Sequence, residues 1–202
     1  MNHLYLKLAM PSVMILMAAF FWVVSLKILL TRKPLFISSR WLFGVVIVGI
    51  APSMFNPILF NHFTLISIAP PLMFVVMLVF FWFQMKGYIA IAVSDGYFRD
   101  ALLSSIKDLG YTAEETMSRL RIKETGEEFH VVIQGWMGGA QLKPVGKSSS
   151  TTTQEIAKRM NLYFSNTKGQ MNYILAYMYL IFGVFMIAMA VGIFMLPHTL
   201  KH

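Results

Sequence analysis

From Trp41 to Met85 the chain runs for 45 residues without one Asp, Glu, Lys or Arg. As a single helix this run would extend roughly 68 Å at 1.5 Å per residue, about twice the hydrocarbon thickness of a bilayer. It therefore has to turn back on itself. Asn56, Pro57, Asn61 and His62 mark the place, because their polar groups demand water. Two apolar helices are predicted, over about 41–60 and 65–85, with Pro70 and Pro71 near the start of the second. The rest of the chain supports a bilayer as the solvent: 57% of residues are apolar and 13% charged, against roughly 45–50% and 25% in soluble proteins.

Two further apolar runs have spanning length. Leu8 to Leu26 is free of charge, with Pro11 in its first turn and Lys27 placed to reach the interface. The competing reading is a signal peptide. The run is long, no small-x-small cleavage pattern follows it, and Lys27, Arg32, Lys33 and Arg40 come directly after, so it reads as a permanent helix of about 8–30. Met171 to Leu196 is the last span and ends at Pro197. Its Ala188-x-x-x-Gly192 spacing fits ordinary membrane-helix composition, with close approach of a neighbouring helix as the alternative.

The fold class predicted is a membrane α-helical protein of four transmembrane helices with an inserted small α+β domain. Residues 1–86 hold three spans, 87–168 the soluble domain, and 169–202 the fourth span and a short tail. All nine acidic residues fall between Asp95 and Glu155, and Gly87–Lys168 carries ten Lys or Arg against those nine. The domain is thus nearly neutral, and most of the formal charge of +8 resides on the membrane flanks. No nucleic-acid partner is expected from such a distribution. Lys27, Arg32, Lys33 and Arg40 are the topology-determining residues: the positive-inside rule puts their loop in the cytoplasm. Both termini then lie outside and the soluble domain inside, in what reads as a bacterial inner membrane. Lys86 agrees, and Trp41, Trp82, Tyr173 and Tyr177 would sit at the inner interface. Lys7 and Lys201 dissent.

Within the domain the predicted order is β-α-β-β-β-α. Tyr88–Ser94 alternates as a strand, and Ser94 or Asp95 caps a helix carrying Phe98, Ala101, Leu102, Ile106 and Leu109, stopped by Gly110. Met117–Lys123 and Glu128–Gln134 form a hairpin through Glu124–Glu127, and Ala140–Val145 is a strand whose Pro144 suggests a sheet edge. Thr152 and Glu155 have capping-box spacing for a last helix with Ile156, Met160 and Phe164 inward. Both helices are expected on one face of an antiparallel sheet. The helix, three strands and helix have the element order of double-stranded-RNA-binding domains, which this part resembles in topology alone. The basic residues such domains carry at the second helix start are replaced here by Ser148–Thr153.

Strand alternation leaves a mildly basic face of Arg119, Arg121, Lys123, His130 and Lys143, opposite Leu120, Ile122, Phe129, Val131 and Ile133. This face is the predicted contact for a protein partner or for anionic lipid, against the plainer reading of a solvated sheet surface. No catalytic, cofactor-binding or metal constellation stands out. Absence of cysteine excludes disulfides and thiolate chemistry. The Gly135–Gly139 segment lacks the Gly-Lys-Ser/Thr ending of a phosphate loop and reads as a turn. Asp95, Asp100 and His130 are the loosely placed candidates for an enzyme. His3, His62, His198 and His202 would share the outer side, but their spacing defines no metal pair. No ionisable residue lies at membrane depth, which argues against ion-coupled transport. The expected function is a non-enzymatic membrane subunit or adaptor of a larger assembly of the secretion, conjugation or transport type. The alternative is a self-associating effector or channel gated through the domain.

Overall fold

The computed structural model describes residues 2–60, 65–116, 119–146 and 150–195. They form two compact units: Val24–Trp41 with Lys86–Met178, and the described residues of Met1–Val23, Leu42–Met85 and Tyr179–His202. The first of these joins the sheet domain to the chain just before the second apolar helix. The sequence-based boundaries had left that stretch out.

The helical unit draws on four helices: α1 (Asn2–Thr31), α2 (Ser39–Phe60), α3 (Leu65–Gln84) and α6 (Ile174–Met195). Among the described residues two stretches are long and apolar enough to cross a membrane, Met10–Thr31 and Ile174–Met195, and two shorter apolar stretches are Ser39–Gly49 and Ile68–Gln84. Only 22% and 17% of the two long windows is buried, whereas a soluble core helix would be mostly covered. α1 meets α6 where Gly183 faces Trp22; a Cβ there would lie 2.5 Å from the indole. Trp22 Nε1 donates to Leu180 O at 3.3 Å, and Phe21 packs on Tyr179 and Phe182. Gly49 opens room for Met17, and Phe43–Phe81 and Phe55–Phe74 pair α2 with α3. The close approach thus uses Gly183. Ala188 and Gly192 are both exposed, with nothing within 4 Å of where a Gly192 Cβ would point.

The second unit is built on a six-stranded, wholly antiparallel sheet of order β1-β2-β6-β5-β4-β3. Its strands are β1 (Leu35–Ser38), β2 (Tyr88–Ile91), β3 (Ala113–Thr116), β4 (Arg119–Ile122), β5 (Glu128–Gln134) and β6 (Gly139–Val145). Helices α4 (Asp95–Asp108) and α5 (Ser150–Asn166) complete it. Counting β1, the unit reads β-β-α-β-β-β-β-α, with four strands between the helices. This departs from the predicted β-α-β-β-β-α order and from the double-stranded-RNA-binding resemblance.

Each difference has a local cause. β1 lies between α1 and α2, where a loop had been expected, and it completes the sheet by pairing Phe36 with Ala90. β2 stops at Ile91 because Ala92 turns to φ 67°, a left-handed conformation that an alanine adopts only under constraint. β3 is polar and does not alternate; Thr112 and Lys123, beside its pairing with β4, bond to Glu124 and Glu114. Pro144 lies on a central strand, not at an edge. β2 pairs with β6 only as far as Tyr88↔Leu142, so Pro144 sits past the ladder on that side. α5 is already helical at Ser150, which puts Thr152 inside the helix; Thr152 and Thr153 are both buried.

The readings of the two domain helices hold. Ser94 caps α4 by accepting from Tyr97 N, and Gly110 ends it at φ 77°. Phe98, Ala101, Leu102 and Ile106 from α4, and Ile156, Met160 and Phe164 from α5, share one core with Phe36, Leu120, Ile122, Phe129 and Leu142 of the sheet. Both helices therefore cover the same sheet face. Tyr97 joins the core by its ring, and its hydroxyl donates to Thr167 O at 2.5 Å.

Candidate functional site

The register places the predicted basic face side by side. Arg119 stands opposite His130, and His130 opposite Lys143, a row across β4, β5 and β6. Arg121 is the neighbour of Glu114 on one side and Glu128 on the other. These side chains point away from the buried Leu120, Ile122 and Phe129, as the alternation requires. Their charge, however, is answered in part. Arg119 meets Glu128 at 3.7 Å and Lys123 meets Glu114 at 3.0 Å. Exposed pairs like these contribute only about 0–1 kcal/mol each, but they turn a basic stripe into a mixed one.

The same sheet face is not open throughout. Ile91 points away from the helix-covered core, since its neighbour Ala90 belongs to that core, and yet Ile91 is fully buried. The start of α6 is strapped to the β5–β6 turn: Leu175 N donates to Met137 O at 3.0 Å, and Asn172 Nδ2 donates to Gly135 O at 2.6 Å. Ser25 near the end of α1 donates to Ala176 O at 2.9 Å and is buried.

Glu124 shows how the hairpin end is held. Its carboxylate accepts from Thr112 Oγ1 at 2.6 Å and from Thr112 N at 2.9 Å. The hydroxyl bond, then the backbone bonds, hold its carboxyl below the usual glutamate range. The folded carboxyl thus binds its proton less tightly than the unfolded one. The contact adds stability above the usual glutamate range, and that contribution is lost as pH falls through the lowered folded value. A carboxyl-detected NMR titration of wild type and Thr112→Val should show the Glu124 midpoint moving upward in the variant. An unmoved midpoint would rule out the hydroxyl as the main cause.

The four topology-determining residues separate into two places. Lys27 and Lys33 line one cavity with Asn161 and Ser165, and Lys33 Nζ donates to Ser165 O at 2.6 Å. Arg32 lines neither cavity described here; it ends α1 at φ 50° with its N–H on Ile28 O. Arg40 lies elsewhere, on a cavity of about 290 Å³ lined also by Ser38, Lys86, Tyr88, Thr153 and Gln154. Tyr88 and Gln154 continue into a second cavity of about 370 Å³ that reaches Lys158 and Asn161 along α5. Burial pushes the Tyr88 phenol up, and a phenol is a hydrogen-bond donor at neutral pH. Sequence reasoning used Arg40 and Lys86 only as orientation signals and missed that they line one cavity. The Leu35–Ser38 alternation after Pro34 was the available clue, because β1 is the strand that brings Ser38 opposite Tyr88.

Asp95 and Asp100 lie on α4 and His130 on β5. Asp95 packs against Gly135 at the start of α4, and His130 lies in the sheet row described above. Among the described residues there is no group of three or more His, Asp or Glu able to hold a metal. His62, His198 and His202, and the side chain of His3, lie outside the described residues. No family model, no curated protein and no solved structure matches the chain.

Proposed function

We propose that this chain is an integral membrane subunit or adaptor with four spans, whose sheet domain faces the cytoplasm and contacts a protein partner. One observation carries the reading. The end of α1 and the start of α6 belong to the same compact unit as the sheet. β1 is drawn from the connection between α1 and α2, β2 begins at Tyr88 soon after α3 ends at Gln84, and α6 starts on the β5–β6 turn. Val24–Trp41 and Lys86–Met178 accordingly form one compact unit. The ends of α1 and α6 thus belong to the sheet's own unit, as a coupling subunit requires. The orientation rests on the Lys27, Arg32, Lys33 and Arg40 cluster. The contact surface is the exposed part of β3, β4 and β5, with Arg119, Arg121, Lys123 and His130 set among Glu114 and Glu128.

Mild-detergent purification of the tagged full chain from its native membranes tests this reading. A foreign protein should co-purify in fixed stoichiometry, and Arg121→Glu with His130→Glu should release it while leaving the chain folded. A particle made only of copies of this chain would replace the adaptor with the self-associating effector or channel.

A further inference from the structure

The cavity at Ser38, Arg40, Lys86, Tyr88, Thr153 and Gln154 belongs to neither the partner surface nor the core. Two cations line it, and its continuation along α5 adds a third, Lys158. No carboxylate is among the described residues lining either part. A lining with cations and no carboxylate suits an anion. The uncharged donors fit the same role: Ser38, the Tyr88 phenol and the amide of Gln154 can all donate. Ser39, between two lining residues, is buried with a hydroxyl that has no partner among the described residues. Arg40 is the second residue of α2 and Thr153 lies in the first turn of α5, so the positive ends of two helix dipoles flank the cavity.

Position says which anion. Arg40 and Lys86 are the charged residues that bound the 45-residue uncharged stretch on its two sides. On the four-span reading above, both leave the hydrocarbon at one level, where headgroup phosphates lie. We propose that this cavity is a binding site for the phosphate of an anionic phospholipid headgroup, held by Arg40 and Lys86. The inference rests on the four-span reading for its depth, and on the cavity lining for its charge.

Native mass spectrometry of the full chain in mild detergent, with phosphatidylglycerol or phosphatidylcholine added, tests it. Wild type should retain one phosphatidylglycerol in preference to phosphatidylcholine. Arg40→Gln with Lys86→Gln should weaken phosphatidylglycerol binding by at least about tenfold, while Arg119→Gln with Lys143→Gln should not. Thermal midpoints of each variant report folding, and Lys86→Gln alone carries the same test if the double variant does not fold. Equal retention of both lipids, or no loss in the cavity variants, overturns the site. Displacement of the lipid by millimolar inorganic phosphate would also overturn it, in favour of a soluble phosphate ligand. Labelling of Thr64→Cys tells the two failures apart. If it labels only from the cytoplasmic side, the spans fail and the headgroup placement with them; outer-side labelling with no lipid preference sinks the site alone.

Discussion

Gly87→Ala should lower the thermal midpoint of the full chain by more than about 10 °C. Gly87 has φ 101°, a conformation that costs an L-residue about 1–3 kcal/mol. The added Cβ would also lie 2.1 Å from Leu142 O and 2.9 Å from Lys143 Cα. Those atoms are backbone, so no side chain can rotate away. Relief means moving β6 off β2 at Tyr88↔Leu142, the last pair of that ladder. The same residue accepts the Ser39 N–H at 3.0 Å, so the shift would also disturb the start of α2. A destabilisation of about 3 kcal/mol or more follows from strain and clash together. Gly126→Ala is the control. It has φ 68° but nothing within 4 Å of its Cβ, so it should cost only about 1–2 kcal/mol. Equal midpoint shifts for the two variants, followed by circular dichroism in detergent, would show that the clash at Gly87 is not what matters.

Phe98→Ala should destabilise the same unit by about 3–5 kcal/mol. Phe98 is fully buried in α4, in the single core that joins both helices to Phe36, Leu120, Phe129 and Leu142. Removing the ring loses its burial and leaves a void, which close-packed neighbours on a sheet cannot readily fill. Leu103→Ala on the same helix removes an apolar side chain that is 41% exposed, so it should cost far less. Protease resistance of the purified chain gives an independent readout. Comparable resistance for Phe98→Ala and wild type would mean that the core is not what holds the domain closed.

Much of this fold was readable from the residues, and the reason lies in period and charge. Phe98, Ala101, Leu102 and Ile106 repeat at helical spacing, and Leu120 and Ile122 alternate with Arg119 and Arg121; each pattern has one solution that buries its apolar side. The misreadings occurred where local pattern was weak or was overruled. β3 has no apolar alternation, and Thr112 and Lys123 beside it are tied to Glu124 and Glu114. β1 is only four residues long, and it becomes a strand because β2 offers an edge. Ala92 has no local reason to turn to φ 67°. Pro144 reads as an edge residue, but the shortness of β2 leaves its position unpaired on one side of a central strand.

The candidate site divides along the same line. Composition and charge spacing determined by themselves that the chain carries long apolar helices, a nearly neutral polar domain between them, and cations at the helix ends. Those properties follow from solvent preference, which each residue carries with it. Only the tertiary structure decided that Arg40 and Lys86, 46 positions apart, line one cavity, and that the basic sheet face is matched by Glu114 and Glu128. Both outcomes depend on strand order and register, and register is a property of two paired segments that neither segment carries alone.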